Sequence, residues 1–178
     1  MKKIGFIGTG LMGFPMAKNI LKSGYKLKAF NRSSSKAKAL EEFGAEITIT
    51  LNELVKDSEI IITMLTDDEA IDEVMGSLNF LDNLKPGSIV IDMSSIKPIT
   101  AKKHEKNLSF KKIKYLDAPV SGGTIGAEEG SLAIMIGGEK KVFKEVEDLL
   151  KTMGNPTLVG PVGLSLIHIS EPTRQLQI

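Results

Sequence analysis

The feature of this 178-residue sequence that most constrains its fold is the alternation of short apolar runs with amphipathic segments. The runs at 4–7 and 60–64 are apolar at nearly every position, as in strands that are buried on both faces of a parallel sheet. The segments at 11–23 and 139–153 instead repeat apolar residues at spacings of three and four, which is typical of helices packed on a sheet. The alternation predicts an α/β fold with a mainly parallel sheet.

Charge balance and residue content exclude several functional classes. Lys and Arg number 23 against 22 for Asp and Glu, so the chain lacks the basic excess of a nucleic-acid or membrane-surface binder. It has no cysteine, and its two histidines, His104 and His168, lie far apart, so we expect no metal site. No apolar run is long enough to cross a membrane, and no cleavable signal peptide is evident. We therefore expect a cytoplasmic protein without nucleic-acid, membrane or metal partners.

A glycine-rich segment lies between the first predicted strand and the first predicted helix, and it matches G-x-G-x-x-G. In a dinucleotide site Gly8 allows a tight turn, Gly10 lets a pyrophosphate approach the backbone, and Gly13 lets helix and strand pack closely. The helix N-terminus then offers free N–H groups to the phosphates. An ordinary strand-to-helix turn is the alternative, but the placement favours a cofactor site. The predicted cofactor-binding residues of this loop are Gly8, Thr9, Gly10, Leu11, Met12 and Gly13.

The residues after the second predicted strand indicate which dinucleotide is bound. NAD-binding domains usually place an Asp or Glu there for the ribose 2′-hydroxyl, whereas this chain has Asn31, Arg32 and Ser33. Without a carboxylate to repel a 2′-phosphate, and with a guanidinium to bind it, the segment predicts NADP, with NAD as the alternative. A plain surface arginine is the other interpretation. Met64 and Leu65, at the end of a central strand, complete this part of the predicted cofactor site.

Three motifs, in order, resemble those of the β-hydroxyacid dehydrogenases over residues 1–163. The first is the glycine loop with its helix. The second is 91–95, where the resemblance places Ser95 against the nicotinamide half of the cofactor. The third is 117–123, which resembles the family's substrate signature. Ser121, Gly122 and Gly123 are predicted to bind a substrate carboxylate, since such a loop can present a hydroxyl and successive N–H groups; a glycine-rich turn is the alternative.

The resemblance implies an α/β fold of the Rossmann type, with a doubly wound and mainly parallel sheet, and an NAD(P)-dependent oxidoreductase that acts on a CH–OH group. It would transfer hydride between NADP(H) and a small 3-hydroxy acid or semialdehyde, of the 3-hydroxyisobutyrate, tartronate semialdehyde, or succinic semialdehyde and glyoxylate type. The substrate stays open, because the segments 91–96 and 31–33 resemble different members of the family. A non-catalytic dinucleotide-binding module and a 6-phosphogluconate dehydrogenase-like enzyme are the alternatives. Asp92 and Asp117 are candidates for acid–base work, although we expect them to cap loops at strand ends.

The sequence departs from the family after Gly163. There the family opens a long helix with its catalytic lysine, which aligns with Ile169, so no catalytic residue is assigned. Residues 164–174 instead resemble the in-frame translation of a transposase adapter, with a divergent natural tail as the alternative. We therefore expect an NAD(P)-binding Rossmann domain with its substrate loop at 1–163 and a non-native tail at 164–178. The family's all-α C-terminal domain, and the homo-oligomer that it forms in the parent, would be missing, leaving a truncated fragment that binds cofactor but is inactive.

Overall fold

The computed structural model of the protein describes the backbone of residues 2–169 and the side chains of residues 2–167. Strands and helices alternate along this part of the chain, so the predicted α/β architecture is confirmed. The strands are β1 (Ile4–Ile7), β2 (Leu27–Phe30), β3 (Glu46–Ile47), β4 (Ile60–Thr63), β5 (Ile89–Asp92), β6 (Lys114–Asp117), β7 (Val120–Ser121), β8 (Leu132–Gly137) and β9 (Gly154–Gly160). The helices are α1 (Gly13–Lys22), α2 (Ser34–Lys38), α3 (Leu51–Asp57), α4 (Asp68–Met75), α5 (Leu78–Leu81), α6 (Pro98–Ser109), α7 (Gly123–Glu129), α8 (Lys140–Lys151) and α9 (Leu164–Ile169).

The sheet has the strand order of a doubly wound fold. Strands β3, β2, β1, β4, β5 and β6 lie side by side in that order and are all parallel. Chain order reverses between β1 and β4, and ligands in open α/β sheets bind beyond the carboxyl ends of the strands at such a point. Beyond β6 the pairing changes, since β8 runs antiparallel to β6 and β7 but parallel to β9. The glycine loop follows β1 and therefore lies at the reversal.

Hydrophobic clusters fill both faces of the sheet, as the buried strands predict. In β4, Ile60 and Ile62 belong to the cluster on one face, and Ile61 belongs to the cluster on the other. This alternation follows from the strand's two-residue period, and it explains why a strand covered on both faces is apolar throughout. The first cluster includes α1 and α8, and the second includes α3, α4 and α6. Both faces of the sheet are thus covered, and the loops that follow the parallel strands lie at its carboxyl edge.

Two segments differ from their sequence pattern. The segment 33–43, which the pattern predicts as one helix, is divided into α2 and a single 3-10 turn at Glu41–Phe43. The glycine-rich segment between β6 and β8, which the pattern predicts as a loop, contains β7 and α7. The sequence pattern does not predict α7, because the helix starts at Gly123 and includes Gly126, and glycine has a low helix propensity.

The predicted tail at 164–178 lies partly outside the described residues. Its first six residues form α9, and the backbone is described no further than Ile169. Within α9 the side chain of Ser165 is fully buried.

Among the helices of residues 2–169, none has the length and apolar character needed to cross a bilayer.

Candidate dinucleotide and substrate site

The glycine loop joins β1 to α1 in a geometry that two of its glycines make possible. Gly8 has a φ of +96°, and a Cβ at this position would overlap the Met64 carbonyl oxygen. A Cβ on Gly13 would overlap the carbonyl oxygen of Gly8, so Gly13 allows the close helix–strand approach. Gly10 differs, because a Cβ there would have nothing within 4 Å. The packing therefore requires Gly8 and Gly13, whereas Gly10 leaves open space at the N-terminal end of α1.

Hydrogen bonds fix the glycine loop against the end of β2. The Gly8 amide donates to the Phe30 carbonyl at 3.0 Å, and the Thr9 amide donates to Asn31 Oδ1 at 3.0 Å. Asn31 Nδ2 in turn donates to the Ser33 carbonyl at 3.0 Å. The Asn31 amide thus shapes the turn that precedes α2. The Thr9 hydroxyl is buried and, within the described part of the chain, has no hydrogen-bond partner.

Two cavities adjoin the glycine loop, and both are lined by Gly10. The first, of about 460 Å³, brings together seven predicted cofactor residues and has the volume of a small-molecule site. These residues are Gly8, Gly10, Asn31, Arg32, Ser33, Met64 and Leu65. The second cavity, of about 590 Å³, is lined by Thr9, Gly10 and Leu11.

Lys36 lines both cavities and was not among the predicted residues. It lies in α2, two residues after the helix begins at Ser34. The signal that could have identified it is a lysine four positions after Arg32, in a segment that begins a helix directly after the strand. The first cavity also contains Glu73, which lies on α4 and not at the end of β2.

The remaining predicted residues lie outside the lining of these two cavities. Met12 is half-buried and packs against the core, and Ser95 is exposed in the segment that follows β5. The predicted substrate residues Ser121, Gly122 and Gly123 are exposed where β7 passes into α7. The two glycines have φ values of +134° and +62°, which residues with a Cβ rarely adopt. The segment at Ser121 therefore requires glycine for its backbone, whatever it binds.

A buried aspartate at the end of β5 holds the loops that follow β4 and β5. Asp92 accepts hydrogen bonds from Thr63 Oγ1 at 2.9 Å and from the Ser94 amide at 3.0 Å, and the Tyr115 hydroxyl donates to it at 3.4 Å. The Ser94 hydroxyl accepts a bond from the Leu65 amide at 2.9 Å. Burial outweighs these donors and raises the pKa of Asp92 to about 6.

Asp117 plays a similar role one strand further along the sheet. It pairs in register with Asp92, and it accepts hydrogen bonds from the Gly163 amide at 3.1 Å and from the Ser165 hydroxyl. Burial raises the pKa of Asp117 to about 7. Both aspartates therefore hold the loops at strand ends, as the loop-capping interpretation expects.

The raised pKa of Asp92 predicts a pH-dependent stability. Because the folded-state pKa lies above the unfolded one, the carboxyl's contribution is present below pH 4 and is lost as the pH rises through about 6. The free energy of unfolding of the wild type, relative to that of Asp92→Asn, should fall by about 2 kcal/mol between pH 4 and pH 7. Urea unfolding at several pH values measures it.

The matched control for this titration is Asp148→Asn, because the Asp148 side chain is 92% exposed. We expect the stability difference between the wild type and this control variant to stay nearly constant over the same pH range. Two results would contradict a pKa raised by burial. In one, the stability difference between the wild type and Asp92→Asn does not change with pH. In the other, the wild type becomes more stable relative to Asp92→Asn as the pH rises.

A doubly wound sheet with a glycine loop at the strand-order reversal is typical of a dinucleotide-binding domain. A profile of the family described as the NAD binding domain of 6-phosphogluconate dehydrogenase matches residues 3–163. The chain belongs to this family of domains and, within it, to the β-hydroxyacid dehydrogenases, whose N-terminal domain it matches.

Individual relatives agree with this assignment. The chain is 42% identical to the uncharacterized oxidoreductase YkwC of Bacillus subtilis over 164 residues, which are 91% of this chain and 57% of that protein. It is 40% identical to the 2-hydroxy-3-oxopropionate reductase of Escherichia coli over 163 residues, which are 90% of this chain and 56% of that protein. The chain thus spans little more than half the length of these curated relatives.

A solved structure has nearly the same fold. The Mycobacterium tuberculosis 3-hydroxyisobutyrate dehydrogenase, determined with L-serine, superposes with a TM-score of 0.93 at 27% identity. The alignment covers 99% of this chain and 60% of that one. The likeness in fold therefore includes the sheet and the helices of the described residues, and it concerns little more than half of that relative.

Proposed function

We propose that this chain is the cofactor-binding part of an NADP-preferring β-hydroxyacid dehydrogenase. The enzyme would transfer hydride between NADP(H) and a small 3-hydroxy acid or semialdehyde. The observation that carries the proposal is the glycine loop beside a cavity that contains Arg32, at the reversal of strand order. When bound, the nicotinamide ring supplies the hydride chemistry, and the protein supplies binding and orientation.

The loop has the features that a dinucleotide phosphate requires. Gly10 presents bare backbone with no side chain nearby, directly before the N-terminus of α1, where the helix dipole favours an anion. The buried Thr9 hydroxyl, which has no partner in the described residues, has unused hydrogen-bonding capacity beside this space. Gly8, Gly10 and Gly13 would thus hold the pyrophosphate against the end of α1, with Leu11 and Met12 completing the turn.

The preference for NADP rests on two cations that line one cavity. Arg32 can bind a 2′-phosphate with paired hydrogen bonds, and Lys36 adds a second positive charge. Ser33, which precedes α2, adds a hydroxyl to the lining of this cavity. The carboxylate that favours NAD in related domains is replaced by Asn31, whose side chain holds the loop instead.

The substrate assignment rests on the segment at 121–123 and on the relatives' names. The E. coli relative is named for 2-hydroxy-3-oxopropionate, and the Mycobacterium structure contains L-serine. Each compound has an oxygen-bearing carbon two carbons from a carboxylate carbon. Ser121, Gly122 and Gly123 would bind the carboxylate, and Ser95 would lie near the nicotinamide. A small carboxylate-bearing substrate is therefore the class we propose.

The domain division belongs to the same proposal. Residues 1–163 would form the NAD(P)-binding domain with its substrate loop, and 164–178 would be an adapter-derived tail. The family profile ends at residue 163, which supports the boundary. The parent protein's general acid, and its homo-oligomer contacts, would come from sequence that replaces this tail.

Substituting Arg32 by aspartate tests the cofactor preference. Because charge-assisted hydrogen bonds contribute about 1.5–3 kcal/mol, Arg32→Asp should raise the Kd for NADPH by about tenfold or more. The Kd for NADH should change much less, since NADH has no 2′-phosphate. Fluorescence titration of both cofactors measures the effect.

Lys38→Asp is the matched control, because it makes the same charge change on α2 at an exposed residue outside the lining of both cavities. We expect it to leave the ratio of the two dissociation constants nearly unchanged. An equal loss of affinity for NADPH and NADH in Arg32→Asp would contradict a 2′-phosphate site.

A further inference from the structure

Two helices connect the two proposed binding loops to each other. Helix α1 begins at the glycine loop, and α7 begins at the proposed substrate loop. The two helices pack together although more than 100 residues separate them in sequence. The side chain of Asn19, on α1, links them by hydrogen bonds.

Asn19 binds the end of α7 through its side-chain amide. Its Nδ2 atom donates to the Ala127 carbonyl at 2.8 Å and, at a longer 3.5 Å, to the Glu128 carbonyl. The last carbonyls of a helix have no partner within the helix, so each needs one from elsewhere. Ala127 is fully buried and Asn19 is half-buried, so the shorter bond is partly shielded from water.

The backbone around this link is closely packed. Helix α7 ends at Glu129 and is capped by Gly130, whose φ is +68°. A Cβ on Gly130 would lie 3.2 Å from the Thr152 carbonyl oxygen and 3.4 Å from Asn19 Nδ2. A seven-residue helix containing glycines has little intrinsic stability, so α7 depends on such external contacts.

We propose that Asn19 is a positioning residue that couples the glycine loop to the substrate loop. The inference rests on the proposed function, because it requires a dinucleotide at the N-terminus of α1. A cofactor held there restrains α1, and Asn19 transmits the restraint to the end of α7. The distance between nicotinamide and substrate carboxylate would then depend on this link, and small errors in such distances slow reactions strongly.

Hydrogen–deuterium exchange of this chain, with and without saturating NADPH, tests the coupling. In the wild type we expect NADPH to slow exchange in the glycine loop and also at 123–131, beside Asn19. In Asn19→Ala and in the isosteric Asn19→Asp, NADPH should still slow exchange in the glycine loop but not at 123–131. Without cofactor, exchange at 123–131 in Asn19→Ala should be about fivefold faster, as the loss of one hydrogen bond predicts.

Asn83→Ala is the matched control, because Asn83 Nδ2 also donates to a backbone carbonyl, that of Asn79, at 2.9 Å. It should respond to NADPH as the wild type does. If NADPH slows exchange in neither segment of the wild type, the proposed function is wrong. If it protects the glycine loop but not 123–131, or if the Asn19 variants respond like the wild type, the coupling is wrong and the proposed function stands.

Discussion

Gly13→Ala is expected to abolish NADPH binding and to destabilise the fold by about 3 kcal/mol, as overpacking does in a closely packed site. The new Cβ would overlap the Gly8 carbonyl oxygen, and it would lie 2.9 Å from the Gly8 carbonyl carbon and 3.1 Å from Phe6 Cε1. The loop cannot easily move aside, because the Gly8 amide is hydrogen-bonded to Phe30. Urea unfolding and NADPH titration measure the two effects.

Gly10→Ala provides the contrast within the same loop. Its Cβ would have no neighbour within 4 Å, so the free energy of unfolding should stay close to that of the wild type. The methyl group would occupy space that the proposed pyrophosphate requires, so NADPH affinity should still fall. If Gly10→Ala binds NADPH as tightly as the wild type, the phosphates do not approach the backbone at Gly10.

The rate of turnover should differ strongly between this chain and a fusion protein in which its residues 1–163 are joined to a domain that supplies a general acid. We expect the 178-residue chain to bind NADPH without measurable turnover, because Ile169 stands where the family resemblance places a lysine. Joining residues 1–163 to the part of the E. coli reductase that follows its matched segment should restore NADPH oxidation with a semialdehyde. General acid catalysis alone accounts for about 10²–10⁴-fold in rate.

The fusion that also contains Arg32→Asp is the control for this experiment. It should keep turnover but move its preference from NADPH towards NADH, which would attribute the activity to this chain's cofactor site. Turnover of the 178-residue chain at the rate of the fusion would contradict the assignment of the general acid. A fusion that binds NADPH yet stays inactive would favour the non-catalytic binding module.

The sequence predicted those strands, helices and loops whose conformation depends mainly on their own residues. Strand β4 is apolar at three of its four positions because Ile61 and Ile62 lie on opposite covered faces. The glycine loop was predictable because Gly8 and Gly13 meet steric requirements that any such strand–loop–helix unit imposes. Its position after the first strand also predicted its place at the carboxyl edge of the sheet.

The features that sequence analysis missed depend on contacts between distant segments. Helix α7 was not predicted, because its sequence contains glycines. It is stabilised by the hydrogen bond from Asn19 and by packing on α1. Lys36 and Arg32 line the same cavity because α2 starts directly after the short turn that follows β2. The hydrogen bond from the Gly163 amide to Asp117 spans 46 residues and has no local signature.

The most direct test of the central claim is a titration of the 178-residue chain with NADPH and NADH, monitored by calorimetry. The account predicts one NADPH bound per chain, with a Kd at least about tenfold below that for NADH, as one charge-assisted interaction with the 2′-phosphate implies. This preference should weaken as ionic strength rises, because exposed charges are screened by salt. Binding of neither cofactor, or tighter binding of NADH, would contradict the account.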